Sequence, residues 1–555
     1  MTTATTAGAH PFRPTALACA LMMATGSAQA FEIEMGDSDL QLRWDNTVKY
    51  STAFRVDDRS PGLASTQFDA GFNVVGPNNV NQDDGDNNFD KGLVSNRLDL
   101  LSEFDARYGN VGARVSAAAW YDDVYHGRND NDTTTSNHVP GDQFSDHTQD
   151  VMGGDAEILD AFVYGRFPVG DNMGTVRLGR HTLLWGESLF FGANGIAGGQ
   201  APFDVVKLLS VPNSQFKEVA RPTGKLSVDL PLNDSMSLGA YVGYEWEKAR
   251  LIPTGAYLSG SDALEGERIL AGPVGTFERA GDLEPSDTGQ YGLQLRWYVP
   301  SLDSDLGLYA IRYHATGPSN IWTYLNGFPP ALTADKYRWV YHEGIRAYGA
   351  SIATSVGSWS LAGEISYRQN TPLASSGQTI LPTIGVHTDF DNDNNPGYAV
   401  GETAHAQFSW LASLGPSFIS DEASFVGEVA WNTRVSVDKN EEMLNPNADK
   451  SAVGLRMVYT PTYRQLFSGA DVSPSVGLGY TWGKSSALGN AFGVDRGGDL
   501  NLGVKVLYLN QWQGSLNYVT FFGPEGSTLD NNSNAQFKQS LKDRDFISLS
   551  VSTTF

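Results

Sequence analysis

Polar and apolar residues alternate along most of this 555-residue chain. In the last segment, FISLSVSTTF, Ile547, Leu549, Val551, Thr553 and Phe555 share one face, while Phe546, Ser548, Ser550, Ser552 and Thr554 share the other. QYGLQLRWYV sets Tyr291, Leu293, Leu295, Trp297 and Val299 against Gln290, Gly292, Gln294, Arg296 and Tyr298. The same period of two runs through LQLRWDNTVKY, SAVGLRMVY and LNLGVKVLY. Successive side chains of a strand point to opposite faces, so this period predicts strands with one apolar and one polar side. Helical periodicity is nearly absent.

The predicted strands, at about 10–16 residues, exceed the roughly 5–6 of an average soluble strand and suit the about 9–11 that a tilted strand needs to cross a bilayer. Their connections alternate in length. Long ones fall at 57–92, 126–154, 184–222, 249–286, 316–337, 373–402, 436–449, 485–497 and 524–542, with short turns between them. Nine long and eight short connections predict 18 strands, or 16 if the parse splits one hairpin too many, with both strand-bearing termini on the short-turn side. Short turns on one side and long loops on the other are the pattern of a bacterial outer-membrane barrel. In lipid every backbone N–H and C=O needs a partner, so such a sheet must close. The expected fold is an all-β, transmembrane, antiparallel β-barrel over residues 31–555. Its final strand, ending on Phe555, resembles the signal read by the outer-membrane barrel-assembly machinery.

Residues 1–30 read as a signal peptide: an apolar stretch from about Ala16 to Ala24, then a small-x-small site at Ala28-Gln29-Ala30. Cys19 is the only cysteine. Acylation there, as in a lipoprotein, would leave the apolar stretch and an unused cleavage site in the mature chain. Cleavage after Ala30 removes Cys19, and with it disulfides and thiolate metal sites. It also removes one positive charge, Arg13, taking the formal net charge from −25 to −26. So acidic a chain is no nucleic-acid binder, because phosphate contact wants clustered Lys and Arg.

FEIEMGDSDLQLRWDNTVKY, DGDNNFDKGLVSNRLDLLSEFDARY, SAAAWYDDVYH, ILDAFVY, VRLGRHTLLWGESLFFG and GGQAPFDVVKLLSVPNSQFKEVARP resemble domain-of-unknown-function family 1302. The likeness covers essentially the whole mature chain and is strongest over residues 31–250. It implies a proteobacterial outer-membrane barrel and supplies no catalytic residues to carry over. It also implies a genomic neighbourhood with a LolB-like periplasmic protein and an inner-membrane exporter of the resistance-nodulation-division type, hence traffic in hydrophobic molecules.

Several motifs have bland readings. Gly36-Asp37-Ser38 brings GDSL esterases to mind, but Asp39 displaces the Leu and a strand follows where a helix is required, so it reads as a turn. QDDGDNNFD (82–90), RNDNDTTT (128–135) and DFDNDNNPG (389–397) carry oxygen ligands at alternate positions, which suits Ca²⁺. In the third, however, Pro396 stands where a calcium loop wants Gly and no Glu closes it. These stretches read as solvated loops facing lipopolysaccharide, and no dedicated metal site or cofactor is expected. The histidines show no zinc spacing. His181 reads as a hydrogen-bonded barrel histidine.

The connection 186–222 is too apolar for a loop in water. Pro202 at a helix start, with Phe203, Val206 and Leu209 on one face, predicts a short helix. The lumen is the available place to bury it, so Phe190, Phe191, Phe203, Leu208, Leu209 and Phe216 are constriction candidates. By alternation, Arg43, Asp45, Lys49, Arg97, Asp99, Glu103, Arg296, Glu428, Arg434, Arg456 and Lys505 line the lumen. Rings of such side chains set selectivity if water fills it. The expected function is an outer-membrane channel or transporter for a small hydrophobic or amphipathic molecule, working with the periplasmic and inner-membrane partners and doing no covalent chemistry. The alternatives are a porin for polar solutes, a surface adhesin or an outer-membrane esterase.

Overall fold

The computed structural model describes residues 31–34, 39–66, 76, 78–212, 214 and 216–555. The predicted signal peptide and Gly36-Asp37-Ser38 lie outside the described residues. Eighteen long strands form one closed antiparallel barrel, each paired to its neighbour in the chain. The first, Leu40–Arg55, pairs with both Gly92–Tyr108 and the last, Phe546–Thr554, which closes the circle. We number these barrel strands β1 (Leu40–Arg55) to β18 (Phe546–Thr554). The sixteen between are β2 Gly92–Tyr108, β3 Val111–Asp122, β4 Gly154–Val169, β5 Asn172–His181, β6 Thr223–Asn233, β7 Met236–Gly243, β8 Gln290–Val299, β9 Ser304–Tyr313, β10 Ile345–Val356, β11 Trp359–Pro372, β12 Val400–Leu414, β13 Glu422–Lys439, β14 Ser451–Phe467, β15 Ala470–Trp482, β16 Gly497–Tyr508 and β17 Trp512–Phe522.

The seam is built from two pieces. β18 covers the upper part of β1, and Phe555 exchanges both backbone hydrogen bonds with Asn46, at 2.7 and 2.9 Å. Below it the short strand Phe31–Glu34 pairs with Gln41–Trp44, so the edge of β1 that β18 does not reach is also occupied. An unpaired edge in lipid would leave backbone groups without partners.

The apolar face points outward. Ile547, Leu549 and Val551 are exposed, whereas Ser548 and Ser550 between them are buried. Leu98, Leu100, Leu293, Ile352, Ile365, Phe408 and Leu502 extend the exposed apolar belt around the barrel. A belt of this extent is untenable in water and matches the hydrocarbon of a bilayer. Trp44, Tyr108, Trp297, Trp359 and Tyr508 are exposed near the short turns, where an interfacial aromatic girdle belongs. The chain is therefore a transmembrane barrel of the outer-membrane type, and among the described residues no helix is long and apolar enough to cross a membrane.

The long loops fold over one end. The connection expected at 316–337 runs on to 344, and in it Asn320–Phe328 and Ala331–Val340 form a hairpin. It joins Thr276–Arg279, Arg268–Leu270 and Gln378–Ile380 in a five-stranded outer sheet. Phe89, Tyr125, Phe144, Ile252, Tyr257 and Phe546 gather into a buried cluster that binds three loops to the end of β18.

Candidate functional site

After β5 the chain turns into the barrel. The side chain of Glu428, buried on the inner face of β13, accepts the backbone N–H groups of Leu189 (3.1 Å), Phe190 and Phe191 (2.9 Å) and the Ser188 hydroxyl (3.2 Å). Consecutive amides converging on one carboxylate make an anion nest turned inside out, with the anion supplied by the wall. On β11, Glu364 accepts the N–H groups of Glu187 (2.8 Å) and Ile196 (2.7 Å), and Arg368 donates to the carbonyls of Ala193 and Gly195, both at 2.8 Å. Asn194 donates to the Ala406 and Trp431 carbonyls, each at 3.3 Å, and accepts from Asn432.

Two glycines permit this approach. A Cβ at Gly195 would stand 2.6 Å from the Gln407 amide, and at Gly186, with φ +94°, it would collide with the Glu364 carboxylate. Ile196, 1% exposed, anchors the segment on the adjoining strands, among Trp185, Tyr241, Tyr309, Ile311 and Ile345. Residues 185–196 thus touch walls from β7 round to β14, where Phe191 lies against Gly454 and 5.5 Å from the Phe492 ring. The segment lies inside the barrel along that arc of wall.

The return limb is fixed by charge. Asp204 caps the helix Val205–Ser210 by accepting the Lys207 N–H at 2.8 Å. Glu157 of β4 receives Lys207 at 3.0 Å and Arg250 at 2.7 and 2.9 Å, and Arg250 also reaches Asp204 at 2.8 Å. Arg97, Lys207 and Arg250 crowd the Trp120 ring at 5.3, 5.4 and 5.1 Å from its centroid. A buried network of this kind is held by its geometry, since each charge has given up water.

On the short-turn side of the inner segment lies a cavity of about 550 Å³, lined among others by Glu187, Leu189, Tyr298, Asp305, Thr354 and Leu411. Its chemistry is mixed: carboxylates beside leucines. Arg296 stands 4.0 Å from Glu187 at its edge.

The eleven lumen-lining candidates alternate with the exposed apolar positions of their strands and have different surroundings. Glu428 holds the inner segment. Arg97 pairs with Asp99 (2.8 Å), Glu103 with Arg114 (2.5 Å), Arg43 with Asp45 (2.7 Å) and Arg456 with Asp499 (2.8 Å). Lys49 is buried, Lys505 exposed and Arg434 half-buried at the loop end of β13. Of the constriction candidates, Phe190 and Phe191 lie on the inner segment and Phe203 bridges to Ala220 by backbone pairing. The side chain of Phe216 lies outside the described residues.

The expected helix requires correction. It begins at Val205, not Pro202, because Asp204 is the cap. Val206 is buried against the loop cluster, but Leu208 and Leu209 are 59% and 47% exposed, so Val206 and Leu209 do not share one buried face. The helix is six residues long, too short for the expected stripe to persist. His181 bonds Ser227 Oγ at 2.8 Å and the Gly179 carbonyl at 3.0 Å. Glu364, Arg368 and Asn432 were not among the sequence candidates, although EISYRQ and WNTR alternate in the same way as the strands that supplied the others.

The family described as a protein of unknown function, DUF1302, matches residues 12–555. The chain belongs to the DUF1302 family. Compared with curated proteins by sequence, this DUF1302 member has no match. Among solved structures it is similar to the outer membrane channel DcaP of Acinetobacter baumannii, at 8% identity and a TM-score of 0.38 over 95% of this chain and 99% of that one. It is also similar to OpdK of Pseudomonas aeruginosa, solved with vanillate (12% identity, TM-score 0.41, 93% and 98% of the chains), and to OccAB3 of A. baumannii (8%, 0.44, 93% and 99%).

Proposed function

We propose that this DUF1302 barrel is a channel of the outer membrane whose lumen is narrowed by residues 185–196, and that it passes a small amphipathic or hydrophobic molecule. The observation that carries the reading is the clamp of Glu364, Arg368 and Glu428 on the backbone of that segment. A segment held by main-chain bonds leaves its side chains free to select. Leu189 and Phe190, 48% and 37% exposed, are so placed, and Leu189 lines the cavity beside Glu187 and Asp305. Apolar surface set among carboxylates favours a neutral or cationic amphiphile over an anion. A LolB-like periplasmic protein and an inner-membrane exporter, as the family resemblance implies, would supply or receive that molecule at the short-turn side.

Purified barrel in proteoliposomes tests the reading. Efflux of an entrapped amphipathic aromatic amine is expected to exceed that of a disaccharide of similar size at least tenfold. Equal efflux of the two would replace this reading with a porin for polar solutes.

A further inference from the structure

Above the membrane, three carboxylates meet with no cation beside them. Asp83 and Asp84 belong to the loop between β1 and β2, and Asp262 to the loop between β7 and β8. All three are buried, and one carboxylate oxygen of each lies within 4.8 Å of the other two. Among the described residues none of the three forms an ion pair. Two of their oxygens, Asp83 Oδ1 and Asp262 Oδ1, are buried with no hydrogen-bond partner, and Asp262 is 0% exposed.

The adjoining residues show how this chain otherwise neutralises buried acid. Asp86, also fully buried, is met by Arg55 at 2.7 Å and Arg544 at 3.3 Å, and Arg55 also reaches Asp543 at 3.3 Å. No such arginine serves Asp83, Asp84 and Asp262. The nearest guanidinium influence is Arg268 on Asp84, and that group donates instead to the Ser136 and Asn137 carbonyls, at 2.8 and 3.1 Å. Burial raises all three carboxyls above their ordinary range, the response of acids left without a countercharge.

The surrounding contacts hold the carboxylates in place without filling them. Asp262 Oδ2 accepts the N–H groups of Asp83 and Asp84, at 2.9 and 3.2 Å. Asp84 accepts the Asn137 N–H at 2.7 Å and the Asn131 amide at 3.2 Å, both from the loop between β3 and β4. Asn137 Oδ1 is a further buried oxygen with no partner. Three loops therefore meet at the acidic group, two supplying its carboxylates and the third donating to Asp84.

We propose that Asp83, Asp84 and Asp262 form a binding site for a divalent cation, Ca²⁺, that fastens the first, second and fourth outer loops together over the lumen. The donor set is all oxygen, which selects a hard cation over zinc or copper. Three buried carboxylates fixed by neighbouring loops favour Ca²⁺, which accepts irregular all-protein cages, over Mg²⁺, which keeps its waters. This inference concerns the roof of the barrel and is independent of what the lumen passes.

Calcium titration of the full-length, EGTA-stripped barrel in detergent is the test. One tight site per chain is expected, lost in Asp262→Asn and kept in Asp391→Asn, which alters an exposed acidic loop instead. No tight site in the wild type, or one that Asp262→Asn retains, overturns the proposal. Because Asp262→Asn could disturb folding, limited proteolysis of the wild type alone provides a second reading. Cleavage in the outer loops should be at least tenfold slower with Ca²⁺ than with EGTA, and equal cleavage overturns the proposal by itself. Equal cleavage accompanied by greater resistance at low pH would mean that protons neutralise the cluster.

Discussion

Glu428 and Phe191 are 237 residues apart in the chain and are joined inside the barrel by a 2.9 Å bond from the Phe191 amide to the Glu428 carboxylate. That bond and its neighbours decide whether the inner segment stays in place. Glu428→Ala would leave three part-buried amide donors without their acceptor, at up to about 1 kcal/mol each. The segment is expected to leave its seat, and disaccharide efflux from proteoliposomes to rise well above wild type. Glu428→Gln keeps an acceptor and should fall between the two.

Glu157 holds the other limb. Replacing it with Gln takes from Lys207 and Arg250 the anion they share, leaving Arg250 only Asp204, and breaking a buried pair costs about 3–5 kcal/mol. Urea unfolding in liposomes should show a loss of that order. Adding Lys207→Met to Glu157→Gln should recover part of it, and no recovery would mean that the network is not coupled.

Much of this was legible in the alternation. The strand count follows from it, because a barrel wall in lipid tolerates apolar residues only on one face and polar ones only on the other. QYGLQLRWYV and FISLSVSTTF obey that constraint throughout. ALTADKYRWV alternates less cleanly, with Asp335 and Lys336 adjacent, and it lies in the outer sheet, outside the bilayer, where charge is tolerated on both faces. The apolar content of 186–222 pointed to burial. It could not specify that Glu364 and Glu428 would receive the segment, because bonds to a backbone leave no mark on the identity of the residues that donate them. Gly186 and Gly195 are the trace that remains. The convergence of Asp83 and Asp262 was hidden for a different reason: 179 residues separate them, and only the closure of the barrel brings their loops together.

The terminal aromatic can be separated from the seam it closes. Phe555→Ala preserves the backbone bonds to Asn46, so refolding yield and unfolding midpoint in detergent should be unchanged. If Phe555 is the assembly signal, the amount of heat-modifiable barrel in cells should fall severalfold. A parallel loss in refolding would assign the ring to stability instead.

His342 gives the outer loops a pH dependence. It is fully buried, bonding the Tyr398 hydroxyl at 2.9 Å and the Asn370 carbonyl at 3.0 Å, and burial pushes its pKa down to about 4. Unfolded, the ring titrates near 6.5, so between pH 6.5 and 4 the unfolded chain binds the extra proton. Its contribution is complete above pH 6.5 and is lost at roughly 1.4 kcal/mol per pH unit as pH falls toward 4. Unfolding midpoints measured across that range should drop less in His342→Gln than in wild type.

Single-channel recording in planar bilayers tests the central claim most directly. Wild-type barrel should show small or rare conductance steps, and a variant lacking residues 189–195 should show large, stable ones. Large steps from the wild type, unaltered by the deletion, would mean that the lumen is open past residues 185–196 and that the segment does not gate it.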